Sequence, residues 1–350
     1  MKIASLACAA VLGAGLALAP GTPAVSPARA QTPETFFAGK DVRILIGAAV
    51  GGTFGLYAQL AARHMREHIP GKPNLIVQSM PGAGGLVGLN YSFNVAPKDG
   101  TLLHLIHSEV LYETLLNREV KFDAQGYQYI GRLADGESLV LTQRGSKLKA
   151  FEEAKSREVV LGSTGLANIN ALGPLLLNRI AGTKFKVIGG YKGASDIIIA
   201  MERGEVDGSG MTVANAMTIH GDKLKSGEFQ PFLSLSSKRL PEFPDAPAMT
   251  EFASGANRLL MEIYASTGTI GRSLAYPPGV PADRVNAMRQ AFQKMLVDPV
   301  FVAETKKGGV IVSPMSGEEL SAEIVRVMKT PKEEVDAAQK IHDDLVKSTK

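Results

Sequence analysis

Tryptophan is absent from this 350-residue chain, aromatics make up only 6% of it, and the single cysteine, Cys8, lies near the N-terminus. So thin an aromatic supply removes the platforms on which sugars or single-stranded nucleic acids stack. Charge of one sign is lacking too: 38 basic residues meet 34 acidic ones, without the basic excess of a nucleic-acid binder, so no nucleic-acid partner is expected. A hydrophobic content of 45% with 21% charged residues is that of an ordinary globular chain, neither disordered nor membrane-embedded. A chain of this length has room for two domains.

Residues 1–30 do not read as part of the fold. Lys2 starts a short basic region, residues 3–19 are apolar and alanine-rich, and Ala28-Arg29-Ala30 offers a small-residue cleavage site before Gln31. Gly13 and Gly15 interrupt the apolar run and Pro20 ends it, leaving it short for a membrane anchor. A lipoprotein signal would want a branched or leucyl residue three places before Cys8, where Ser5 stands. Export to the periplasm with cleavage near Ala30 is expected. Losing Lys2 and Arg29 from the 38 basic residues leaves 36 against 34 acidic, a net of +2, and no cysteine. Such a chain must be held by core size rather than by disulfides.

Two glycine turns organise the remainder: AVGGTFG at residues 49–55 and MPGAGGLVG at residues 80–88. Each follows a short apolar run and opens a helix-patterned segment, which is how backbone N–H groups come to face an anion. Residues 42–48, 74–80 and 101–107 read as strands separated by helices at 56–68 and 86–95, the signature of βαβ units and a parallel sheet. Ligands of such sheets sit beyond the carboxyl ends of the strands. Gly51, Gly52, Thr53, Pro81, Ala83, Gly84, Gly85 and Ser108 all fall there. The pattern restarts after two further apolar runs, with strands at 159–162, 185–188 and 206–211, helices at 169–180 and 197–203, and turns at Ser163-Thr164-Gly165 and 189–193. A strand is expected at 269–275, and capping boxes at Ser316/Glu319 and Thr330/Glu333 mark later helices. His64 and His68 are four apart on a helix, but no zincin-type glutamate accompanies them, so they read as a solvated helix end. No metal and no cofactor is expected.

With these segments in order, the chain resembles the periplasmic substrate-binding proteins of tripartite tricarboxylate transporters, often called the Bug family. The resemblance rests on AVGGTFGLYAQLAARHM, VQSMPGAGGLVGLNY, NVAPKDGTLL, VVLGSTG, GYKGASDIIIAMERGEVDG and LAYPPGVPADRV, spread over nearly the whole length after residue 30. It implies an α/β fold of two lobes, of the type II-like periplasmic binding kind. Each lobe would be a mostly parallel sheet flanked by helices, with the ligand in the cleft between. Residues 31–135 and 249–350 would form lobe one and residues 136–248 lobe two, hinged near Gly136 and Ala246. The resemblance further implies a monomeric, non-enzymatic receptor that binds a small carboxylate, a di- or tricarboxylate or an aromatic acid, and delivers it to membrane permease subunits. One end of the ligand would meet the backbone of Gly51, Gly52, Thr53 and of Ala83, Gly84 and Gly85. The other lobe would add Ser163, Thr164, Tyr191, Lys192 and Gly193, with Asp207 near a strand end and Lys192 as the source of positive charge. The family usually has an aspartate where this chain has Gly55, so the first-loop contacts must differ.

Two other readings remain. Gly82-x-Gly84 follows a strand and opens a helix, with Glu109 after the next strand, as in a dinucleotide-binding enzyme, but Val87 stands at the third glycine place. Alternatively, a ligand-presenting partner of a membrane kinase would share every feature of the receptor.

Overall fold

A computed structural model of the protein describes residues 31–117, 120–148, 150–166, 168–191 and 194–348. The expected leader and the expected site residues Lys192 and Gly193 lie outside the described residues.

Two mixed sheets form the frame. The first contains β1 (Asp41–Ile46), β2 (Asn74–Ser79), β3 (Leu102–Ile106), β4 (Gln128–Arg132), β10 (Ser273–Tyr276) and β11 (Met315–Ser316), in the order β11-β4-β10-β3-β1-β2. The second contains β5 (Ser138–Gln143), β6 (Val159–Gly162), β7 (Phe185–Ile188), β8 (Gly208–Thr212) and β9 (Phe229–Ser234), in the order β7-β6-β8-β5-β9. The βαβ units predicted from strand–helix alternation are present: β1 pairs in parallel with β2 and β3, and β6 with β7 and β8. The sheets are less uniformly parallel than expected, because strands that arrive from the other half of the chain run the opposite way. β10 is antiparallel to β3 and β4, and β5 is antiparallel to β8 and β9.

The strands are apolar on both faces because helices cover both. On one face of the first sheet, Ile44, Ile46, Leu103 and Leu105 pack with Tyr57, Leu60, Met288 and Phe292 from the helices Thr53–Met65 and Ala282–Leu296. On the other, Ile106 and Tyr129 meet Leu89, Leu111, Leu320 and Ile324. Each such side chain contributes about 1.5–3 kcal/mol when fully buried. The second sheet is covered by Ile169–Ala181 on one side and by Ala194–Glu202 and Val213–Lys225 on the other. Two helices from late in the chain, Gly255–Ala265 and Lys332–Lys347, pack into the second sheet's core through Leu260, Tyr264 and Leu345.

Local signals fared unevenly. Ser316 and Glu319 form the expected capping box. Thr330 does not cap: its hydroxyl donates back to the Val327 carbonyl at 2.7 Å, and Pro331 occupies the cap position of the last helix. Residues 269–275 are not one strand, since Thr267–Ile270 is a helical turn and β10 begins at Ser273. His64 and His68 face carboxylates of the helix that follows Asp298, with His64 Nε2 2.7 Å from Glu304 and His68 Nε2 3.0 Å from Asp298.

The chain passes between sheets along two backbone segments that lie against each other. Leu133 N–H donates to the Arg272 carbonyl at 2.9 Å, Arg272 N–H to Ala134 at 2.7 Å, and Gly136 N–H to Gly268 at 2.9 Å. The second passage thus enters the first sheet at Gly271, well beyond Ala246. Gly271 has φ +49°, and a Cβ there would collide with the Ala134 carbonyl. A side chain is excluded on both counts. Gly271→Ala is expected to cost about 2–3 kcal/mol, read as a lower urea midpoint; an unchanged midpoint would show that the two segments are not in register as described.

Candidate functional site

The parallel strands β1, β2 and β3 end at one edge of the first sheet, so Gly47-Ala48, the turn Gly82–Leu86 and His107–Glu109 gather there. Because β10 is antiparallel with Ser273 opposite Ile106, the residue before it, Arg272, is delivered to the same edge. In the second sheet, β6 ends at Gly162 just before Ser163, β8 ends at Thr212, and antiparallel β5 begins at Ser138 opposite Thr212. The two edges enclose a cleft of about 660 Å³. A side chamber of about 170 Å³ adjoins it, and Thr164, Asn170, Thr212 and Arg272 line both. A larger groove of about 770 Å³ beside β7 and the last helix is a surface trough. It touches neither glycine turn.

Residues Gly82, Ala83, Gly84 and Gly85 all have positive φ, from 45° to 148°, so the turn coils left-handed before the helix Leu86–Asn94 begins. For alanine that conformation is strained. Gly85 N–H donates to the Gly82 carbonyl at 2.9 Å and Leu86 N–H to that of Ala83, so the turn closes on itself and leaves the N–H groups of Ala83 and Gly84 as its candidate anion donors.

Electrostatics on the floor of the cleft centre on a stack. The Arg272 guanidinium lies 4.2 Å above the centre of the Phe54 ring, and His107 stacks on Phe54 at 4.8 Å and 12°. His107 Nδ1 is bonded to Glu109, whose carboxylate also accepts from Ser108 Oγ at 3.1 Å. Burial alone would push the Glu109 carboxyl up, but the His107 ring and these hydrogen bonds together bring it below its ordinary range. Arg272 is 4% exposed; burial pulls its pKa down, while Tyr57, Glu109 and Asp135 oppose that. Its Nη2 donates to Thr53 Oγ1 at 3.2 Å, and its Nε has no partner among the described residues. Burial raises Glu113 and Glu137 above the usual carboxylate range.

Of the residues expected in the site, Ala83, Gly84, Gly85, Ser108 and Thr164 line the cleft, and Thr53, Ser163 and Thr164 line the side chamber. Ser163 also shapes its own loop, donating to the Gly165 carbonyl at 2.7 Å. Gly51, Gly52 and Pro81 are exposed and form no part of the lining. Tyr191 is half-buried against the cluster that contains Ile197 and Met201. Asp207 is at the wrong end of its sheet: it precedes β8, and its Oδ2 accepts the Val160 N–H at 2.8 Å, so it ties strands together away from the cleft. Glu109, the acid a dinucleotide site would turn to a ribose, is taken by His107. Sequence reasoning missed Phe54, His107, Asn170, Asn215 and Arg272. For Arg272 a signal existed: a lone cation between Ile270 and Leu274 in an apolar, small-residue run.

Gly55 is explained by space. It sits in the first turn of Thr53–Met65, and a Cβ there would fall on the Val50 carbonyl. The first glycine loop is drawn down onto the first turn of the helix there.

Residues 58–335 match the family model described as the tripartite tricarboxylate transporter family receptor. A UPF0065 protein of Bordetella bronchiseptica is 23% identical over 303 residues, covering 84% of this chain and 81% of its own. Among solved structures, MatC of Rhodopseudomonas palustris with bound malate has a TM-score of 0.63 at 18% identity, covering 86% of this chain and 98% of its own. A second R. palustris protein, with adipate, has a TM-score of 0.63 at 16% identity, covering 85% and 97%.

Gly55→Ala reverses a common expectation. In a helix the change ordinarily stabilises by up to ~1 kcal/mol. Here the collision with Val50 is expected to make it destabilising by about 1–3 kcal/mol, measured by urea denaturation; a stabilised variant would contradict the close approach. A second expectation concerns acid. His104 in β3 is fully buried, bonded through Nδ1 to Ser92 Oγ at 2.8 Å, and burial, then His107, lower its pKa to about 3. Unfolded, it titrates near ~6.5, so the unfolded chain binds the extra proton between that value and about 3. Its contribution to stability is complete above pH ~6.5 and is lost as pH falls through that window, by up to ~1.4 kcal/mol per unit. The half-buried His342 and His220 are lowered in the same sense. His104→Asn is therefore expected to flatten the dependence of the urea midpoint on pH between about 6.5 and 5, above most carboxylate titrations.

Proposed function

The chain belongs to the tripartite tricarboxylate transporter receptor family, and from that premise we propose that it captures a small carboxylate and hands it to the membrane permease of such a transporter. The observation that carries this reading is the cleft lined by the facing edges of both sheets. Its volume of about 660 Å³ is in the range of small-molecule sites. The left-handed turn at Gly82–Gly85 supplies backbone donors there, and Arg272 supplies a cation. Malate and adipate in relatives of the same fold support a dicarboxylate as the ligand class.

The sheets would act as two lobes, with residues 136–248 forming the body of one and residues 31–135 with 249–350 the other. The helices Gly255–Ala265 and Lys332–Lys347 ride on the core of the second sheet. The paired segments near Gly136 and Gly271 would serve as the hinge. A ligand touching both edges favours the closed form, which is a shift of population. The setting is the periplasm, after removal of residues 1–30, where no nicotinamide cofactor is supplied. Family and fold are those of a receptor, not an enzyme.

A thermal-shift series with malate, adipate and NAD tests this. A dicarboxylate at about a hundredfold over its Kd should stabilise the native state by ~2.7 kcal/mol, raising Tm, with no response to NAD. A response to NAD alone would overturn the reading in favour of a dinucleotide enzyme.

A further inference from the structure

Arg272 is an incomplete electrostatic element on the wall between the cleft and its side chamber. It is almost wholly buried, uses one donor on Thr53 Oγ1, leaves Nε without a partner, and enters none of the ion pairs formed among the described residues. A buried guanidinium in that condition is costly until an anion joins it. The chamber it lines holds two more unfinished groups: the Oδ1 atoms of Asn170 and Asn215 are buried and lack partners among the described residues. Asn215 stands in the first turn of the helix Val213–Lys225, whose cap Thr212 accepts the Asn215 N–H at 3.2 Å. Thr212 and Asn215 line the chamber, so the first turn of this helix borders it and its dipole favours negative charge there, although the Val213 and Asn215 N–H groups are already bonded to Glu137 and Thr212.

We propose that this chamber receives the ligand's charged head, with its carboxylate paired to Arg272 and a hydrogen-bonding group on the adjacent carbon held by the carboxamides of Asn170 and Asn215. The preferred ligands are then 2-hydroxy or 2-oxo acids. The inference rests on the carboxylate-receptor reading above and narrows it. A carboxamide serves a hydroxyl equally as donor or acceptor, whichever way its O and N are turned. About 170 Å³ admits a carboxylate and the carbon or two beside it, while the rest of the molecule runs into the wider cleft toward Ala83–Gly85. Arg272 and Thr53 belong to the first sheet's side, Asn170 and Asn215 to the second's. The head alone thus bridges both, so the group that confers specificity also drives closure.

Titration calorimetry of the full chain with glutarate and 2-hydroxyglutarate tests this. Wild type should bind the hydroxy acid at least about tenfold more tightly, the margin of one well-made hydrogen bond to a charged or buried group. Arg272→Gln should weaken both acids by about a hundredfold or more, as loss of one partner of a buried charge pair does. Asn215→Asp places a carboxylate in the chamber. It should abolish binding of both acids and raise the Tm of the unliganded protein. Folded Arg272→Gln that binds 2-hydroxyglutarate as wild type does would overturn the proposal, as would equal wild-type affinity for the two acids. If Arg272→Gln does not fold, undiminished binding by Asn215→Asp has the same force. Wild type that binds glutarate while Arg272→Gln loses nothing refutes only the head subsite. Wild type that binds neither acid, nor any other carboxylate, refutes the receptor reading with it.

Discussion

The strand that re-enters the first sheet at Ser273 runs against its neighbours, and that reversal determines what reaches the cleft. In a wholly parallel sheet every residue at the ligand-binding edge follows a strand. Here β10 begins at that edge, so the residue preceding it is presented instead, and that residue is Arg272. β5 in the second sheet does the same with Ser138 and the Gly136 segment before it. The reversals exist because the chain crosses between sheets twice at the cleft side, along segments held together by Leu133–Arg272, Ala134–Arg272 and Gly136–Gly268 hydrogen bonds. Backbone packed this closely leaves no room for a Cβ at Gly271. Two short peptides therefore set the facing of the two sheets and the placing of Arg272 on the cleft wall.

Around that cation the protein has built an aromatic support, and among the described residues no salt bridge joins it. Phe54 is sandwiched between the guanidinium and the His107 ring, and Glu109 anchors His107 from beyond. Cation–π attraction of this kind offsets part of the desolvation of a buried arginine without consuming its donors. Nη2 is committed to Thr53, and Nε stays unpaired among the described residues. Gly55 belongs to the same construction: with no side chain there, the Val50 carbonyl settles onto the helix turn that carries Thr53 and Phe54.

How much of this was readable in the chain depended on range. The βαβ units were legible because apolar runs, glycine turns and helical periodicity are all local, and the turn 82–85 stands where its glycines pointed. Sheet direction beyond those units was not, since antiparallel insertion of β10 and β5 depends on where distant segments return. Site residues divided along the same line. Ala83, Gly84, Gly85, Ser108 and Thr164 follow parallel strands and lie in the cleft, whereas Asp207 precedes its strand and so lies at the far end. Arg272 was hidden by the opposite case, a residue before an antiparallel strand, although a single arginine in an apolar run was itself a flag. Thr330 shows the limit of motif reading at short range: a hydroxyl with a nearer carbonyl behind it takes that bond and leaves the next helix uncapped.

Amide hydrogen exchange with and without 2-hydroxyglutarate asks most directly whether one acid is held by both sheets at once. Slowed exchange should appear together in the Ala83–Gly85 turn and the β10 entry on one side, and in residues 163–166 and the start of the Val213–Lys225 helix on the other. Slowing confined to one of these sides at saturating ligand would contradict a bridged cleft.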